Sequence, residues 1–506
     1  MTGQPGSAGL PRWRWVLELK SGAPLVFLAM LSLAYAGACP LNNTIPSGAA
    51  IGDCFTLNVT GRLVQMSYNG SQWLPQVAYG SNTMYVNGTA GTDNQTQGYG
   101  TGTAAFKTIQ YAIDQIPPVN TGDTVINIAG GIYYEPVTIQ GKGYTGAYSI
   151  TLQGQPFTTT GANLSGAPDL WARGNATADG KPISPSLMTD NGAFSAYGTN
   201  GLRGYFFTKD NATFYPILGN DNNTIKIAEN AINSLTTYSI YAPPATQIRN
   251  TSSVLTVGYG QTGVYINSIY IYATSTNQAF SLQDNSITEM SNVYYIGGNT
   301  NNAATVTSSR LNFLRSYGYM PHASRFLLTL TGGAVAITTN SLLYSLGSTC
   351  IRANQISQVS GSPSFHIGSG TNQGYTLNSG QSTLFGQYFE NFSTGVSVDY
   401  AGQITWQQTY WVGCVNVTNC VTKNYRGFNA DSLFGDTEGN YTNITSDGKL
   451  SLNADDNSTV RMCVYVSQYG TVSAYRCGEE PGGVTMIAMT LIFGGIGLIY
   501  IATRME

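Results

Sequence analysis

The residues that could do chemistry are few in this chain of 506 residues, which has 22 Lys and Arg, 25 Asp and Glu and only two His. Between residues 251 and 410 the acids are Asp284, Glu289, Glu390 and Asp399. A glycosidase needs two carboxylates about 5–10 Å apart across a groove, so Asp284 with Glu289, or Glu390 with Asp399, are the catalytic candidates. Isolated acids in turns are usually solvated, and we therefore favour a protein that is not an enzyme.

Metal and cofactor chemistry has little support in this sequence. The only histidines are His322 and His366, which are too few for a multi-His metal site, and His366 alternates as a strand residue. Two turns rich in Asp and Asn, at 219–223 and 436–440, offer the oxygen ligands that Ca²⁺ prefers, but neither has EF-hand spacing. We therefore expect no cofactor, and Ca²⁺ at these turns is the alternative.

Aromatic residues form the second group of candidates. A ring can stack on the face of a sugar while neighbouring Asn, Gln and Thr side chains bind its hydroxyls, so such clusters suit carbohydrate binding. The candidate ligand-binding residues are Tyr270, Tyr272, Tyr294, Trp406, Tyr410 and Trp411. The alternative, which we weight equally, is that these rings fill a core or stack in ladders.

Short strands must position these groups. Residues 85–410 contain runs that alternate between apolar and polar residues, as at 124–128 and 264–272, and Gly, Asn, Ser and Thr separate the runs. Alternation at period two indicates strands, so the sequence predicts an all-β architecture. Units with Asn or Ser between apolar residues, as at 266–269 and 340–342, recur at about 18–25 residues or multiples of that, which is typical of a parallel β-solenoid.

Residues 85–143 carry a more specific pattern. A strand and a Gly/Asp-rich loop precede a short helix in which Phe106, Ile109 and Ile113 have helical spacing, and strands follow. This arrangement closely resembles the N-terminal cap and first coils of right-handed parallel β-helix proteins of the pectin-lyase-like superfamily. That superfamily includes polysaccharide lyases, bacterial surface proteins and viral tailspikes. The resemblance implies a right-handed parallel β-helix over 85–410, with a helix covering its open N-terminal end.

The same resemblance implies a homotrimer, but it does not extend to the enzymatic motifs of the superfamily. Polygalacturonase-like members carry an Asn-x-Asp, an adjacent Asp pair, a Gly-His-Gly and an Arg-x-Lys. None of these lies within the predicted solenoid, and the only Asp pair, Asp455-Asp456, falls in the region that follows it.

Three regions differ from the solenoid in composition. Residues 39–84 form a small N-terminal segment, and residues 155–250 break the strand rhythm with prolines and sequons, which predicts a large insertion of the solenoid. Residues 411–483 are rich in Gly and Asn and carry four cysteines, which predicts a neck close to a membrane.

The two ends of the chain predict secretion and anchoring. Residues 1–38 have a basic segment, an apolar segment and small-x-small sites, which is the pattern of a signal peptide. Residues 484–502 are uncharged and long enough to cross a bilayer as a helix. Arg504 follows within the tail 503–506 and favours a cytoplasmic C-terminus. We therefore predict a type I single-pass protein on the extracellular face of a cell or virion membrane.

Cysteine spacing and glycosylation motifs agree with an oxidising compartment. The close pairs that we predict to be disulfides are Cys39 with Cys54, Cys414 with Cys420, and Cys463 with Cys477. Cys350 is left over, and we read it as a buried free thiol. The 15 predicted N-glycosylation sites are Asn42, Asn58, Asn69, Asn87, Asn94, Asn163, Asn175, Asn211, Asn222, Asn250, Asn391, Asn416, Asn440, Asn443 and Asn457.

The leading functional hypothesis is a membrane-anchored extracellular glycoprotein whose β-helix binds a polysaccharide or a glycoprotein receptor, as a host adhesin or a virion spike does. The alternatives are a membrane-tethered polysaccharide lyase or glycoside hydrolase, and a structural coat or surface-layer subunit. A net charge of −3 offers no basic footprint for nucleic acid, so we expect no nucleic-acid partner.

Overall fold

The computed structural model covers a long central part of the chain and shorter pieces at either side. The described residues are 41–42, 47–51, 53–59, 62–78, 81–94, 97–142, 148–155, 164–166, 170–172, 185–228, 237–251, 253–274, 278–299, 301–355, 357–361, 363–378, 381–398, 403–412, 416–420, 428–433, 443–445, 462–466 and 471–476. Two compact units divide at residues 79 and 80.

The first unit contains a small sheet. Its strands are β1 Leu41–Asn42, β2 Cys54–Val59, β3 Arg62–Tyr68 and β4 Trp73–Ala78. Strands β2, β3 and β4 pair antiparallel, and β1 pairs parallel to β2. Phe55, Val64, Met66 and Trp73 form the buried cluster of this unit, with the rings of Phe55 and Trp73 edge to face at 4.6 Å.

The second unit holds the remaining strands. Those before and within the long excursion are β5 Asn82–Val86, β6 Val119–Asn120, β7 Thr124–Ile128, β8 Gly131–Tyr134, β9 Val137–Gln140, β10 Ile150–Gly154, β11 Leu164–Gly166, β12 Leu170–Ala172, β13 Ser186–Thr189, β14 Phe206–Thr208, β15 Tyr215–Asn220, β16 Thr224–Ile227 and β17 Tyr238–Tyr241. Those after it are β18 Thr246–Asn250, β19 Leu255–Gly258, β20 Val264–Asn267, β21 Tyr270–Ala273, β22 Phe280–Leu282, β23 Ile287–Ser291, β24 Tyr294–Ile296, β25 Ala304–Thr307, β26 Arg310–Leu314, β27 Tyr317–Met320, β28 Phe326–Thr331, β29 Val335–Thr339, β30 Ser341–Ser345, β31 Thr349–Ala353, β32 Gln358–Ser360, β33 Ser364–Ile367, β34 Gln373–Leu377, β35 Gln381–Phe385, β36 Gln387–Glu390, β37 Thr394–Val398, β38 Gln403–Val412, β39 Asn416–Cys420, β40 Phe428–Leu433, β41 Asn443–Thr445, β42 Met462–Val466 and β43 Thr471–Arg476.

These strands wind into a parallel β-solenoid with three faces. Face A consists of β5, β7, β10, β20, β23, β26, β29, β32, β35, the first part of β38, and β40. Face B consists of β8, β18, β21, β24, β27, β30, β33, β36 and the last part of β38. Face C consists of β9, β19, β22, β25, β28, β31, β34, β37, β39 and β41. The described residues make about nine turns, which confirms the predicted all-β parallel solenoid.

The corner between faces A and B explains the recurring polar units of the sequence. Four successive turns there use one non-glycine residue in the left-handed region; these residues are Ser268, Asn292, Arg315 and Asn340, with φ between 46° and 54°. Buried serines follow and link the coils, since the Val293 amide donates to Ser316 Oγ at 2.9 Å and the Ser316 amide donates to Ser341 Oγ at 3.1 Å. These partners are 23 and 25 residues apart, which is the length of one coil.

The interior of the solenoid is filled by rows of apolar residues in register. On face A, Ile266, Met290 and Phe313 lie on neighbouring strands and are all buried. On face B the large Tyr295 fills the space over Gly318, because a Cβ at residue 318 would lie 2.4 Å from the Tyr295 ring. Volume is therefore balanced between adjacent coils, as close packing requires.

A single α-helix, α1 Ile109–Asp114, lies among the described residues, with two short 3₁₀ turns at Gly102–Ala104 and Ser195–Tyr197. Glu135 holds the start of α1, because its two carboxylate oxygens accept the backbone N–H groups of Ile109 at 2.8 Å and Gln110 at 2.9 Å. Burial raises the pKa of Glu135, and these two hydrogen bonds oppose that shift. The role of this region as a solenoid cap stays a prediction.

Between β10 and β18 the chain leaves the solenoid and builds a seven-stranded sheet, which we call the insertion. The strand order is β11-β17-β14-β15-β16-β13-β12, and every pairing is antiparallel. One side of this sheet has its own core, whose largest members include Phe194, Phe207 and Tyr238. The other side, through Phe206 and Leu218, packs on face B of the solenoid.

The predicted ends of the chain lie outside the described residues. Within the part of the chain that the structure describes, no helix is both long and apolar enough to cross a membrane. The signal peptide at 1–38 and the span at 484–502 therefore stay predictions. Cys54 is disulfide-bonded. The other member of each predicted pair, Cys39, Cys414 or Cys477, lies outside the described residues, so the three pairings stay predictions. Cys350 is a buried free thiol, as predicted.

Candidate functional site

The first pair of predicted acids lies on two different elements of the solenoid. Asp284 is exposed and occupies the turn before face A, with a φ of 55°. Glu289 is half-buried on β23, in register with Tyr265 and Asn312 of the neighbouring coils. The positive φ identifies Asp284 as a turn residue, since Asp tolerates this conformation better than most side chains.

Glu390 has a different environment, because a cation from the insertion meets it. Lys226 Nζ lies 3.3 Å from Glu390 Oε1, and the Tyr388 hydroxyl donates to Glu390 Oε2 at 3.2 Å. The Lys226 side chain is 45% exposed and that of Glu390 23% exposed. The proposed partner of Glu390, Asp399, lies outside the described residues.

Three tyrosines form a ladder on the outside of face B. Tyr270, Tyr294 and Tyr317 are in register, and their ring centroids are 4.7 Å and 4.6 Å apart. Burial raises the pKa of Tyr270 to about 12 and raises the pKa of Tyr294 further. Gly204 of the insertion packs tightly against the rings of Tyr294 and Tyr317, since a Cβ at residue 204 would lie 3.0–3.1 Å from them. Tyr294 therefore packs between the two sheets rather than lying on an open surface.

The other aromatic candidates fall into two groups. Tyr272 is half-buried in the next outer row of face B, where the Arg249 guanidinium lies 5.4 Å from its ring centroid. For Trp406, Tyr410 and Trp411 the structure describes the backbone of β38. The register places Tyr410 in the row of Tyr388 and Trp411 in the row of Phe389.

The polar groups converge in a cleft of about 260 Å³ where the insertion meets face B, which we call the insertion cleft. It is lined by Thr199, Asn200, Arg203, Leu218, Gly219, Asn220, Asp221, Thr224, Lys226, Ile367 and Glu390. Most of these residues belong to the insertion, and only Ile367 and Glu390 belong to the solenoid. The cleft therefore exists only because residues more than 160 positions apart in the chain meet.

Arg203, which lines the cleft, also packs against a tyrosine of face B. Its guanidinium carbon lies 4.4 Å from the centroid of the Tyr344 ring, and that ring stacks on Tyr319 at 5.1 Å with planes 5° apart. Arg203 Nε also donates to the backbone oxygen of Leu218 at 2.6 Å. A register shift between Ile217 and Gly219 frees this oxygen from regular pairing, so a bulge in β15 positions the guanidinium.

The Asp/Asn-rich turn at 219–223 contributes Gly219, Asn220 and Asp221 to the cleft, and one side-chain oxygen each of Asn220 and Asp221 accepts backbone hydrogen bonds. Asp221 Oδ1 accepts the backbone N–H groups of Asn223 at 2.7 Å and Thr224 at 2.6 Å. Asn220 Oδ1 accepts the Leu202 amide at 2.8 Å. This is the hydrogen bonding of an Asx turn. The prediction of Ca²⁺ here stays a prediction, and the segment 436–440 lies outside the described residues.

The buried histidine lies away from the cleft, inside the solenoid. His366 Nε2 is 2.6 Å from Gln387 Oε1, and the imidazole stacks on the Phe389 ring at 4.5 Å. Burial lowers the pKa of His366 to about 4, and the hydrogen bond to Gln387 opposes this shift. Burial likewise raises the pKa of the Cys350 thiol. Both groups are therefore uncharged parts of the core at neutral pH.

The sequence did not reveal Arg203, Lys226 or Asp221 as parts of one site. The available signal was indirect: these charges lie in the insertion of a chain that has few charged residues. Their convergence with Glu390 depends on how the insertion seats on face B, and no local motif encodes that contact.

No family model matches the sequence, and no curated protein matches it. Among solved structures, the chain is similar to the tailspike protein gp49 of Pseudomonas phage LKA1, with 10% identity and a TM-score of 0.15 over 68% of this chain and 73% of that chain. It is also similar to the gp54 tailspike of Acinetobacter baumannii bacteriophage AP22, whose structure is a complex with A. baumannii capsular saccharide. That match has 9% identity and a TM-score of 0.16 over 67% of this chain and 71% of that chain. The solenoid fold itself follows from the strand pairing.

Proposed function

We propose that this protein binds carbohydrate through the insertion cleft. The observation that carries the proposal is the convergence of amide, hydroxyl, carboxylate and cationic side chains in one cleft, from Asn200, Thr224, Glu390 and Lys226. Sugar hydroxyls donate and accept hydrogen bonds, so a concave site with both kinds of group suits them. Glu390 can accept from a sugar hydroxyl while Lys226 compensates its charge.

The proposed setting is the outer face of a cell or virion membrane, with the protein acting in attachment. The predicted signal peptide at 1–38, the predicted span at 484–502 and the 15 sequons support this setting. The resemblance to β-helix surface proteins and tailspikes supports the attachment role and a homotrimer.

A second candidate is a membrane-tethered polysaccharide hydrolase or lyase. The specific observation in its favour is that two carboxylates, those of Asp221 and Glu390, line the same cleft. Against it, both carboxylates are already engaged, Asp221 in its turn and Glu390 with Lys226.

The test uses the full-length chain in detergent micelles against a panel of neutral and acidic polysaccharides, with retention and new chain ends scored together. We expect retention without new ends. Glu390→Gln should weaken retention about tenfold, because it removes a charged hydrogen-bond acceptor while keeping the shape. Glu289→Gln is the matched control, since Glu289 is also half-buried on the solenoid but lies outside the cleft.

Three outcomes would change this conclusion. New reducing or unsaturated ends that disappear in Glu390→Gln would favour the enzyme. Equal loss in both variants would place the carbohydrate site elsewhere. Neither retention nor new ends with any polymer would favour the structural coat subunit.

A further inference from the structure

Of the two cations that line the insertion cleft, Arg203 is the one without a carboxylate partner among the described residues. Within the described residues the salt bridge present joins Lys226 to Glu390, and no carboxylate lies within 4.0 Å of the Arg203 guanidinium. Arg203 is half-buried, so water screens its charge less than at an open surface. A ligand anion beside this half-buried cation would be attracted more strongly than at an open surface.

The geometry holds this guanidinium ready for a planar anion. Its Nε is used by the backbone oxygen of Leu218, and its carbon lies over the Tyr344 ring. The two terminal amino groups, Nη1 and Nη2, have no hydrogen-bond partner within the described part of the chain. Two parallel N–H donors in a fixed plane match the two oxygens of a carboxylate better than a single point charge does.

The other charges of the cleft cannot take this role. Lys226 is committed to Glu390 at 3.3 Å, and Asp221 is committed to its own turn. A ligand carboxylate would therefore meet Arg203 without displacing a protein ion pair. The carboxylates of Asp221 and Glu390 repel an anion, so the favourable position for a ligand carboxylate is beside Arg203.

We propose that Arg203 binds the carboxylate of an acidic sugar, so that the insertion cleft selects carboxylate-bearing polysaccharides over neutral ones. This inference rests on the proposed carbohydrate-binding function and adds the substrate class and the residue that reads it. Tyr344 is a positioning residue, because its ring lies against the guanidinium and is itself stacked on Tyr319.

The experiment measures binding of the full-length chain to polygalacturonate and alginate, and to the same two polymers after chemical reduction of their carboxyl groups. Each pair has one backbone and differs only in the carboxylate. Dextran sulfate and dextran form a third pair, which separates a carboxylate from an anion of another shape. We expect at least one carboxylate polymer to bind about tenfold more tightly than its reduced form, the size expected of a charge-assisted hydrogen bond.

The variant Arg203→Gln should lower binding of the acidic polymer to the level of its reduced form, so that the ratio between the two falls from about tenfold to about one. Arg203→Lys should restore part of the difference, because it keeps the charge but loses the fork. The matched control is Arg249→Gln, since Arg249 also lies over a face B tyrosine, Tyr272, but outside the cleft. Thermal unfolding of each variant confirms that the fold is intact.

The failures are distinguishable. Equal binding of acidic and reduced polymers would overturn the role of Arg203 and leave the carbohydrate-binding function standing. Equal loss in Arg203→Gln and Arg249→Gln would also overturn it, and so would tighter binding of dextran sulfate than of the carboxylate polymers. Both results indicate non-specific electrostatic attraction between the protein and polyanions. No binding of any polymer would overturn the proposed function itself.

Discussion

The solenoid and the insertion bury their apolar residues in different ways. In the solenoid, each coil of 23 to 25 residues places a side chain directly against its counterpart in the next coil, as with Met290 and Phe313. The insertion is an antiparallel sheet without such a repeat, and it needs two separate packings. Phe207 lies in its own core, and Phe206 lies against face B. The solenoid is therefore stabilised by the same contact repeated between successive coils, whereas the insertion depends on one packing contact with face B.

Stability and the proposed recognition therefore depend on different parts of the molecule, the solenoid core and the insertion cleft. Along the solenoid the inward rows stay apolar from coil to coil, so no one coil is distinguished by them. The insertion cleft forms once, where Lys226 reaches Glu390 and Arg203 reaches Tyr344. A single site on a repetitive scaffold can change its specificity without changing the core.

The largest expected effect is in the solenoid core. Tyr295→Ala removes a fully buried ring that fills the space over Gly318, so it leaves a cavity in the core. We expect the free energy of unfolding to fall by about 3–5 kcal/mol, measured by urea unfolding. Tyr134→Ala is the control, because Tyr134 is 73% exposed on the same face and should change stability by at most about 0.5 kcal/mol. Equal effects of the two variants would contradict the close packing of the coils.

The second prediction concerns pH and also acts on the solenoid. The pKa of His366 is about 4 in the folded chain and about 6.5 when unfolded, so the unfolded state binds the proton first as the pH falls. Stability linked to His366 is complete above pH 6.5 and should be lower by roughly 3 kcal/mol at pH 4. Urea unfolding at several pH values should show this loss in the wild type and a smaller loss in His366→Gln. Identical pH profiles would contradict a neutral buried imidazole.

The third prediction compares variants of two adjacent residues, each of which belongs to a different packing contact of the insertion. Phe206→Ala removes the ring that lies against face B, while Phe207→Ala removes one from the insertion's own core. Both should abolish detectable polysaccharide binding and leave the main unfolding transition of the solenoid within about 1 kcal/mol. Only Phe207→Ala should expose the segment between β10 and β18 to rapid proteolysis. Equally fast cleavage of that segment in Phe206→Ala and Phe207→Ala would show that the insertion cannot fold without its contact with face B.

The smallest expected effect is on the ion pair between the two regions. Both side chains are partly exposed, so the salt bridge of Lys226 with Glu390 should contribute at most about 1 kcal/mol to stability. A double-mutant cycle with Lys226→Met and Glu390→Gln measures that coupling by urea unfolding. A coupling above about 2 kcal/mol would mean that this pair, and not Phe206 with its neighbours, holds the insertion on the solenoid.

The sequence predicted the fold better than the site. Alternation at 124–128 and 264–272 predicted strands, and strands lie there. The polar units at 266–269 and 340–342 predicted stacked turns, and both contain a left-handed corner residue, Ser268 or Asn340. These signals are local, because a strand and a tight turn depend on residues that are neighbours in the chain.

The candidate site was predicted only in part. Glu390 was among the predicted acids, but the structure gives it a lysine as neighbour, and the predicted partner Asp399 is not described. Tyr294 was predicted on an exposed surface or in a ladder, and it lies in a ladder beneath the insertion. Composition could not separate these readings, because a tyrosine row outside a solenoid looks the same whether solvent or a second sheet covers it.

By itself, the sequence determined the class of fold, the length of its coils and the presence of a region that breaks their rhythm. Periodicity carries that information, since apolar alternation and turn residues act over a few positions. Only the tertiary structure decided which face the insertion covers, which rings become packing and which charges meet. Arg203 and Tyr344 are 141 positions apart, and their contact depends on a register shift in one sheet and on the stacking of another. Contacts between two such sheets leave no periodic signal in the sequence, so a site formed at their interface cannot be predicted from local patterns.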